Sequence, residues 1–391
     1  MDDLQKESLE YHRRARGKIE IALKTPMDTQ ADLSRAYSPG VAAVSEAIHA
    51  DATQLRQMTV AGNAVAVVTD GSAVLGLGDI GPAAAMPVME GKAALFKRLA
   101  GVDAWPICLD VREPDAIVAA VRAIAPGFAG VNLEDISAPR CFEIEARLQD
   151  LGIPVMHDDQ HGTAIVLLAG LINASRVTGK AFSRMRVVIS GAGAAGRAIV
   201  RLLRCIDQIE STCNTVGEVI VCDSKGALST KRNDLDAVKT AILEYSNADD
   251  RSGTLREMLD GADVFVGVSR GGLLNADDIR RMAPEPIIFA LANPLPEIDP
   301  EAAKAGGASI VATGRSDHPN QVNNVLAFPG IFRGALDAQA TQITDAMKAA
   351  AAAAIADSIA QPDTTHILPA ALDPETPLNV ARAVAQAASP S

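Results

Sequence analysis

From residue 64 onward, short β-branched apolar runs alternate with amphipathic segments, and this alternation limits the folds open to the chain more than any other feature. AVAVVTD at 64–70 is followed by PVMEGKAALFKRLAG, WPICLDV, DAIVAAVRAIA, GVNLEDI, CFEIEARLQDLG and PVMHDD. Runs without polar alternation suit strands buried on both faces, and the intervening helical patterns supply the cover. That is βαβ order, which requires a parallel sheet. A second series follows a helix expected at about 162–177: RVVIS at 186–190, AAGRAIVRLLR, EVIVCD at 218–223, DVFVGVS at 263–269 and PIIFALAN at 286–293. The fold class expected is α/β, with two α/β domains, the second a Rossmann-type dinucleotide-binding domain, and a helical C-terminal tail. The expected division is 1–160 and 161–391, with the tail beyond about residue 337 read as helical and able to pack back on the first domain.

The first series ends two of its strands in carboxylates. Glu134 and Asp135 close GVNLEDI, and Asp158 and Asp159 close PVMHDD. The C-terminal edge of a parallel sheet is where open α/β folds place ligands, and hard oxygen donors gathered there suit Mg²⁺ or Mn²⁺. His157 and His161 flank the aspartates, but a zinc helix motif needs both histidines on one helix face, whereas this segment passes from strand to helix. His161 is expected to help start a helix at Gly162.

GAGAAG at 191–196 follows a strand and opens a helix, the context that gives G-x-G-x-x-G its meaning. Gly191 serves the turn, Gly193 the approach of a pyrophosphate, and Gly196 close packing, with Ala194 and Ala195 at the helix N-terminus. Asp223 ends the next strand and is placed to accept a ribose hydroxyl, although it lies further on than the usual spacing of about 20 residues. That carboxylate favours NAD, whereas Lys225, Lys231 and Arg232 could neutralise the 2′-phosphate of NADP. The loops GVSRGG (267–272, with Ser269) and ALANP (290–294, with Asn293) are expected to flank the cofactor.

Composition narrows the partners. Among 391 residues the formal net charge is −12, and the basic residues are dispersed, which argues against nucleic acid. The longest apolar runs fall short of the roughly 20 residues that a membrane span needs, so no membrane is expected. The N-terminus has no uninterrupted apolar core of a secretory signal. Five cysteines without CxxC pairing fit a reduced, cytoplasmic chain.

Taken together, AYSPGVA (36–42), VTDGSAVLGLGDIG (68–81), EGKAALFK (90–97), NLEDI (132–136), HDDQHGTA (157–164), GAGAAG (191–196), ALANPLPEI (290–298) and NQVNNVLAFPGIFRGAL (320–336) resemble the motifs of the malic enzymes, in that family's order. The resemblance is to the short bacterial form. It implies oxidative decarboxylation of malate to pyruvate and CO₂ with NAD or NADP and Mg²⁺ or Mn²⁺. It also implies Glu134, Asp135 and Asp159 as metal ligands, Asp158 as their support, Lys92 as the catalytic lysine and Tyr37 as the group that protonates the enol. Asn293 and Asn324 would bind substrate carboxylates, with Asn323 nearby. The family form is a homodimer or larger homo-oligomer. Large eukaryotic members carry a malate-binding arginine where this chain has Ala73, so carboxylate recognition is expected from the asparagines, the metal or a second subunit. A malolactic-type or oxaloacetate-decarboxylating relative is the alternative enzyme; a nucleotide-binding regulator is the alternative outside catalysis.

Overall fold

The structure is a computed structural model that describes residues 3–74, 76–205 and 215–388. The first sheet contains β1 (Ala64–Thr69), β2 (Asp103–Cys108), β3 (Gly130–Leu133) and β4 (Val155–His157), all parallel, in the order β2-β1-β3-β4. The second contains β5 (Arg186–Ser190), β6 (Glu218–Asp223), β7 (Gly226–Ala227), β8 (Val264–Gly267), β9 (Ile287–Ala290) and β10 (Ile310–Thr313), in the order β10-β9-β8-β5-β6-β7. Only β7 runs antiparallel there. β1 and β3 are buried along their whole length, as the unbroken apolar runs require of strands covered on both faces.

Both sheets reverse winding direction beside their first strand. In the first sheet the chain crosses from β1 outward to β2, then returns past β1 to β3 and β4; in the second it goes from β5 to β6, then back to β8. Such reversals open a crevice at the strands' C-terminal ends. The helix Asp158–Thr178 links the two sheets and is buried along most of its length. Toward its C-terminal end, the side chain of Asn173 donates to the carbonyls of Ala356 and Ile367 at 2.9 and 3.0 Å, which anchors the C-terminal region to this helix.

The C-terminal region also reaches the first sheet's covering helix, Pro82–Ala100. Phe96, fully buried, meets the rings of Phe328 and Phe332 edge-on at centroid distances of 4.7 and 5.4 Å. These aromatic contacts favour edge-to-face geometry because the positive ring edge meets the negative face.

Several local expectations are corrected. The linking helix begins at Asp158, not Gly162, because the β4 run ends at His157 and the two aspartates suit a helix's positive first turn. The tail is helical as expected, in separate pieces: Phe328–Asp337 ends before Gln339, which has a positive φ, and a new helix, Asp345–Asp357, starts from the Thr344 cap. A last helix spans Glu375–Ala388. Strands β7 and β10 were not anticipated, since a two-residue run, and the run IVAT followed at once by the polar GRSDHPN, carry little strand signal. Cys108, Cys141 and Cys222 are free thiols, but Cys205 is disulfide-bonded, which departs from a uniformly reduced set. The segment after Cys205, which was expected to lengthen the path to Asp223, lies largely outside the described residues.

Candidate active site

Glu134 and Asp135 leave the end of β3, and Asp158 and Asp159 form the first turn of the helix after β4. Asp135 takes a left-handed φ of 54°, a backbone state that costs a side-chain-bearing residue energy and clusters at functional sites. The turn lets its amide donate to Asp159 Oδ2 at 2.8 Å, which joins the two carboxylate pairs. Oxygens of Glu134, Asp135 and Asp159 lie within 4.8 Å of one another.

Lys92 comes from the neighbouring helix. Its ammonium lies 2.5 Å from Asp158 and 2.9 Å from Glu134, with all three side chains buried, and it stands 4.1 Å from the Phe328 ring centroid. Burial alone would lower the lysine pKa, but Asp158, Glu134 and Asp159 outweigh it and hold the pKa above the ordinary value. Burial pushes Asp158 up to about 7; partial loss of solvent together with the Asp158 charge raises the half-buried Asp159 to about 6, and burial with Asp159 raises Glu134. Carboxylates so desolvated and crowded favour the neutral form unless further positive charge arrives. Hard oxygen donors at this spacing fit a divalent cation such as Mg²⁺ or Mn²⁺.

Asn324 Nδ2 donates to Asp158 Oδ2 at 2.5 Å, so the last-sheet side of the cleft closes on the same carboxylate as Lys92. Asn323 caps the short turn that follows it by accepting from the Val325 amide. Asn293, Asn323, Asn324, Asp159, Ala195 and Ser269 all line one cavity of about 460 Å³. A second cavity of about 470 Å³ is lined by Gly191, Asp223, Lys225 and, again, Ser269. The two meet at Ser269, whose hydroxyl is 3.0 Å from that of Ser190 at the end of β5.

At the glycine loop, Gly191 has φ 129° and a Cβ on Gly196 would strike the Gly191 carbonyl at 1.9 Å, whereas Gly193 faces open space. The helix Ala194–Leu203 begins immediately afterward. Asp223 is gripped by the Arg232 guanidinium at 2.8 and 2.9 Å and by Lys239 at 3.0 Å. Burial opposes its ionisation, but the Arg232 fork outweighs it and holds the carboxyl at about 2.

Tyr37 is not brought to the carboxylates. It caps the helix Gln30–Ala36, is 66% exposed, and its hydroxyl makes no hydrogen bond among the described residues. Ala73 donates its amide to the Asp135 carbonyl, and beside it the Arg140 guanidinium bonds Asp70 and Ser72 at 2.8 and 2.7 Å. His161 pairs with Glu145 at 3.0 Å, so it does not face the carboxylates.

Two supporting residues escaped the sequence reading. A Cβ on Gly162 would meet Asp158 Oδ1 at 2.1 Å and Asn324 Cβ at 2.8 Å, so only glycine lets these two side chains meet. Glu297, fully buried, accepts the amides of Ser269 and Ala292 at 3.0 Å each and so ties the two cofactor-side loops together. A signal was present in the glycine one turn after Asp158 and in the carboxylate of LPEI, but each depends on a long-range contact.

The sequence relationships agree with this geometry. The malic enzyme NAD-binding domain model matches residues 160–389, and the malic enzyme N-terminal domain model matches 16–114 and 112–149. The chain belongs to the malic enzyme family. As an NAD(P)-dependent malic enzyme it is an oxidoreductase. It is 52% identical to a bifunctional malic/malolactic enzyme of Bacillus subtilis, over 98% of this chain and 93% of that one. It is 51% identical to an NAD-dependent malic enzyme of Geobacillus stearothermophilus, over 95% and 77% of the respective chains. The crystal structure of an NAD-dependent malic enzyme from Thermotoga maritima superposes with a TM-score of 0.92 at 48% identity, covering 97% of this chain and 98% of that one.

Proposed function

We propose that this malic enzyme converts (S)-malate to pyruvate and CO₂ while reducing NAD⁺ or NADP⁺, with residues 1–160 providing the metal and base and 161–391 the nicotinamide. The observation that carries the reading is the Lys92–Asp158–Asn324 chain of contacts at 2.5 Å each, set against Glu134, Asp135 and Asp159. Glu134, Asp135 and Asp159 would hold Mg²⁺ or Mn²⁺. When bound, such a cation supplies Lewis-acid polarisation of the substrate oxygen, and the nicotinamide supplies the hydride acceptor.

The chain's own groups divide the rest. In its neutral form, which a cation bound at Glu134, Asp135 and Asp159 would favour by offsetting the carboxylates that hold the ammonium, Lys92 Nζ takes the proton of the C2 hydroxyl, while Asp158 positions Lys92 and Asn324 positions Asp158. Asn293 and Asn324, with Asn323 nearby, orient the substrate in the shared cavity they line. Gly191, Gly193, Ala194, Ala195 and Gly196 seat the pyrophosphate, Asp223 and its cations take the ribose, and Ser269 and Asn293 border the nicotinamide. Tyr37, exposed and apart from the carboxylates of its own chain, would protonate C3 of the enol in the site of a second copy; the segment around it leaves Leu33 and Val41 exposed as well. Exposed apolar side chains of this kind suit burial against a second copy of the chain, in keeping with a homodimer. The free thiols of Cys108, Cys141 and Cys222 support a cytoplasmic reading; among the described residues no helix is long and apolar enough to cross a membrane.

Incubation with malate and Mn²⁺ in the presence of NAD⁺ or NADP⁺ tests the reading through the absorbance of reduced nicotinamide and the appearance of pyruvate. Lactate formed without net cofactor reduction would favour the malolactic alternative, a reading supported by the name of the Bacillus subtilis relative.

A further inference from the structure

A separate cavity of about 200 Å³ lies between the helices Arg140–Arg147, Asp158–Thr178, Ala194–Leu203 and Asp345–Asp357. Asp159 and Thr163 line the catalytic cavity, whereas Gln160 and His161, from the same turn, line this one. Its two carboxylates are already engaged. Glu145 pairs with His161 and accepts the His157 amide at 2.9 Å, and Asp345 pairs with both Arg201 and Lys348 at 2.9 Å.

Two donors remain. Arg197 rests over the Phe142 ring, 4.8 Å from its centroid, and has no carboxylate partner among the described residues. Gln160 is 3% exposed, and its Nε2 has no hydrogen-bond partner among the described residues. A buried donor left without an acceptor costs about 1–3 kcal/mol, and a guanidinium is the side chain best shaped to grip a planar or tetrahedral oxyanion. Both donors line the same small cavity. Lys348 and Arg201 are already paired with Asp345, and Arg197 adds a lining charge with no carboxylate opposite it among the described residues, so the lining favours an anion and the volume excludes a nucleotide.

We infer that this cavity binds a small oxyanion, a carboxylate or inorganic phosphate, held by the Arg197 guanidinium and the Gln160 amide. Gln160 directly follows Asp159, and Arg197 directly follows Gly196. The ligand therefore bridges the turn that bears the carboxylate cluster and the turn that opens the dinucleotide helix.

Isothermal titration of the full-length protein saturated with NAD⁺ tests this, with inorganic phosphate and succinate as separate probes. The expected result is one-to-one binding of at least one probe, weakened tenfold or more in both Arg197→Leu and Gln160→Leu, with circular dichroism melting showing which variants are folded. Phosphate binding alone identifies a phosphate site, and succinate binding alone a carboxylate site. Binding of neither probe overturns the inference. So does binding that the folded variants leave unchanged, and so does phosphate binding abolished by NAD⁺, which would place the ion in the dinucleotide cleft instead.

Discussion

Lys92 and Asp158, 66 residues apart in sequence, meet at 2.5 Å in a buried pair that also touches Glu134 and Asn324. The ammonium thereby does two things: it holds a transferable proton and it offsets negative charge. Lys92→Met is expected to lower kcat by roughly 10²–10⁴-fold, the usual worth of a positioned proton-transfer group. Removing one partner of a buried ion cluster also costs about 3–5 kcal/mol, so the metal-free variant should melt well below the parent. Mn²⁺ should raise its melting temperature more than it raises the parent's. Equal metal-induced shifts would argue against the carboxylates as the metal's ligands.

Asp159 sits at the hinge between the two carboxylate pairs through the Asp135 amide. Asp159→Ala should abolish divalent-metal-dependent turnover while leaving the circular dichroism spectrum of the folded protein intact, because its side chain is 37% exposed and supports little packing. Titration of Mn²⁺ by electron paramagnetic resonance should show weakened binding. Turnover that survives with an unchanged metal requirement would remove Asp159 from the ligand set.

Gly162 predicts a steric result. In Gly162→Ala the new methyl would collide with Asp158 and Asn324, and the helix backbone around it is buried. Overpacking of this kind costs about 1–3 kcal/mol. The measurable outcome is a lower melting temperature together with reduced kcat, since the displaced Asp158 can no longer fix Lys92. Unchanged kinetics would mean that the Asp158–Asn324 contact is dispensable.

The Asp223–Arg232 fork gives a pH dependence. Its folded carboxyl titrates at about 2, below the ordinary 3.8, so the unfolded chain binds the proton more readily. The resulting stabilisation, about 2 kcal/mol, is fully present above pH ~4 and disappears as pH falls toward 2. Melting curves of the parent and Asp223→Asn should therefore differ most near neutrality and converge in acid. A gap that widens on acidification would contradict the pairing.

How much of this was legible in the sequence differs from element to element. β5 and β6 coincide with RVVIS and EVIVCD residue for residue, because strands buried on both faces write their length directly as apolar runs. β10 is as buried as they are, yet its run IVAT passes at once into the polar GRSDHPN and reads as part of a loop. Glu134, Asp135, Asp158 and Asp159 stood out because two strand ends carried them in adjacent pairs. What joins them did not: the Lys92 contact spans 66 residues and the Asn324 contact 166, and neither separation leaves a periodic trace. The Asp223 partnership with Arg232 was hidden for the opposite reason, since nearby cations read equally well as phosphate ligands until the carboxylate is seen to occupy them.

The contact of Phe96 with Phe328 and Phe332 bears on how the protein is made. A ribosome delivers the chain from its N-terminus, so the helix carrying Lys92 emerges long before the segment that supplies Asn324 and the aromatic seat beneath it. Until that late segment arrives, the early half has its charged groups but neither the side chain that steadies Asp158 nor the rings that pack under the helix. A half-synthesised molecule thus cannot assemble a working cleft, and the order of biosynthesis itself postpones chemistry until the last third of the chain is in place.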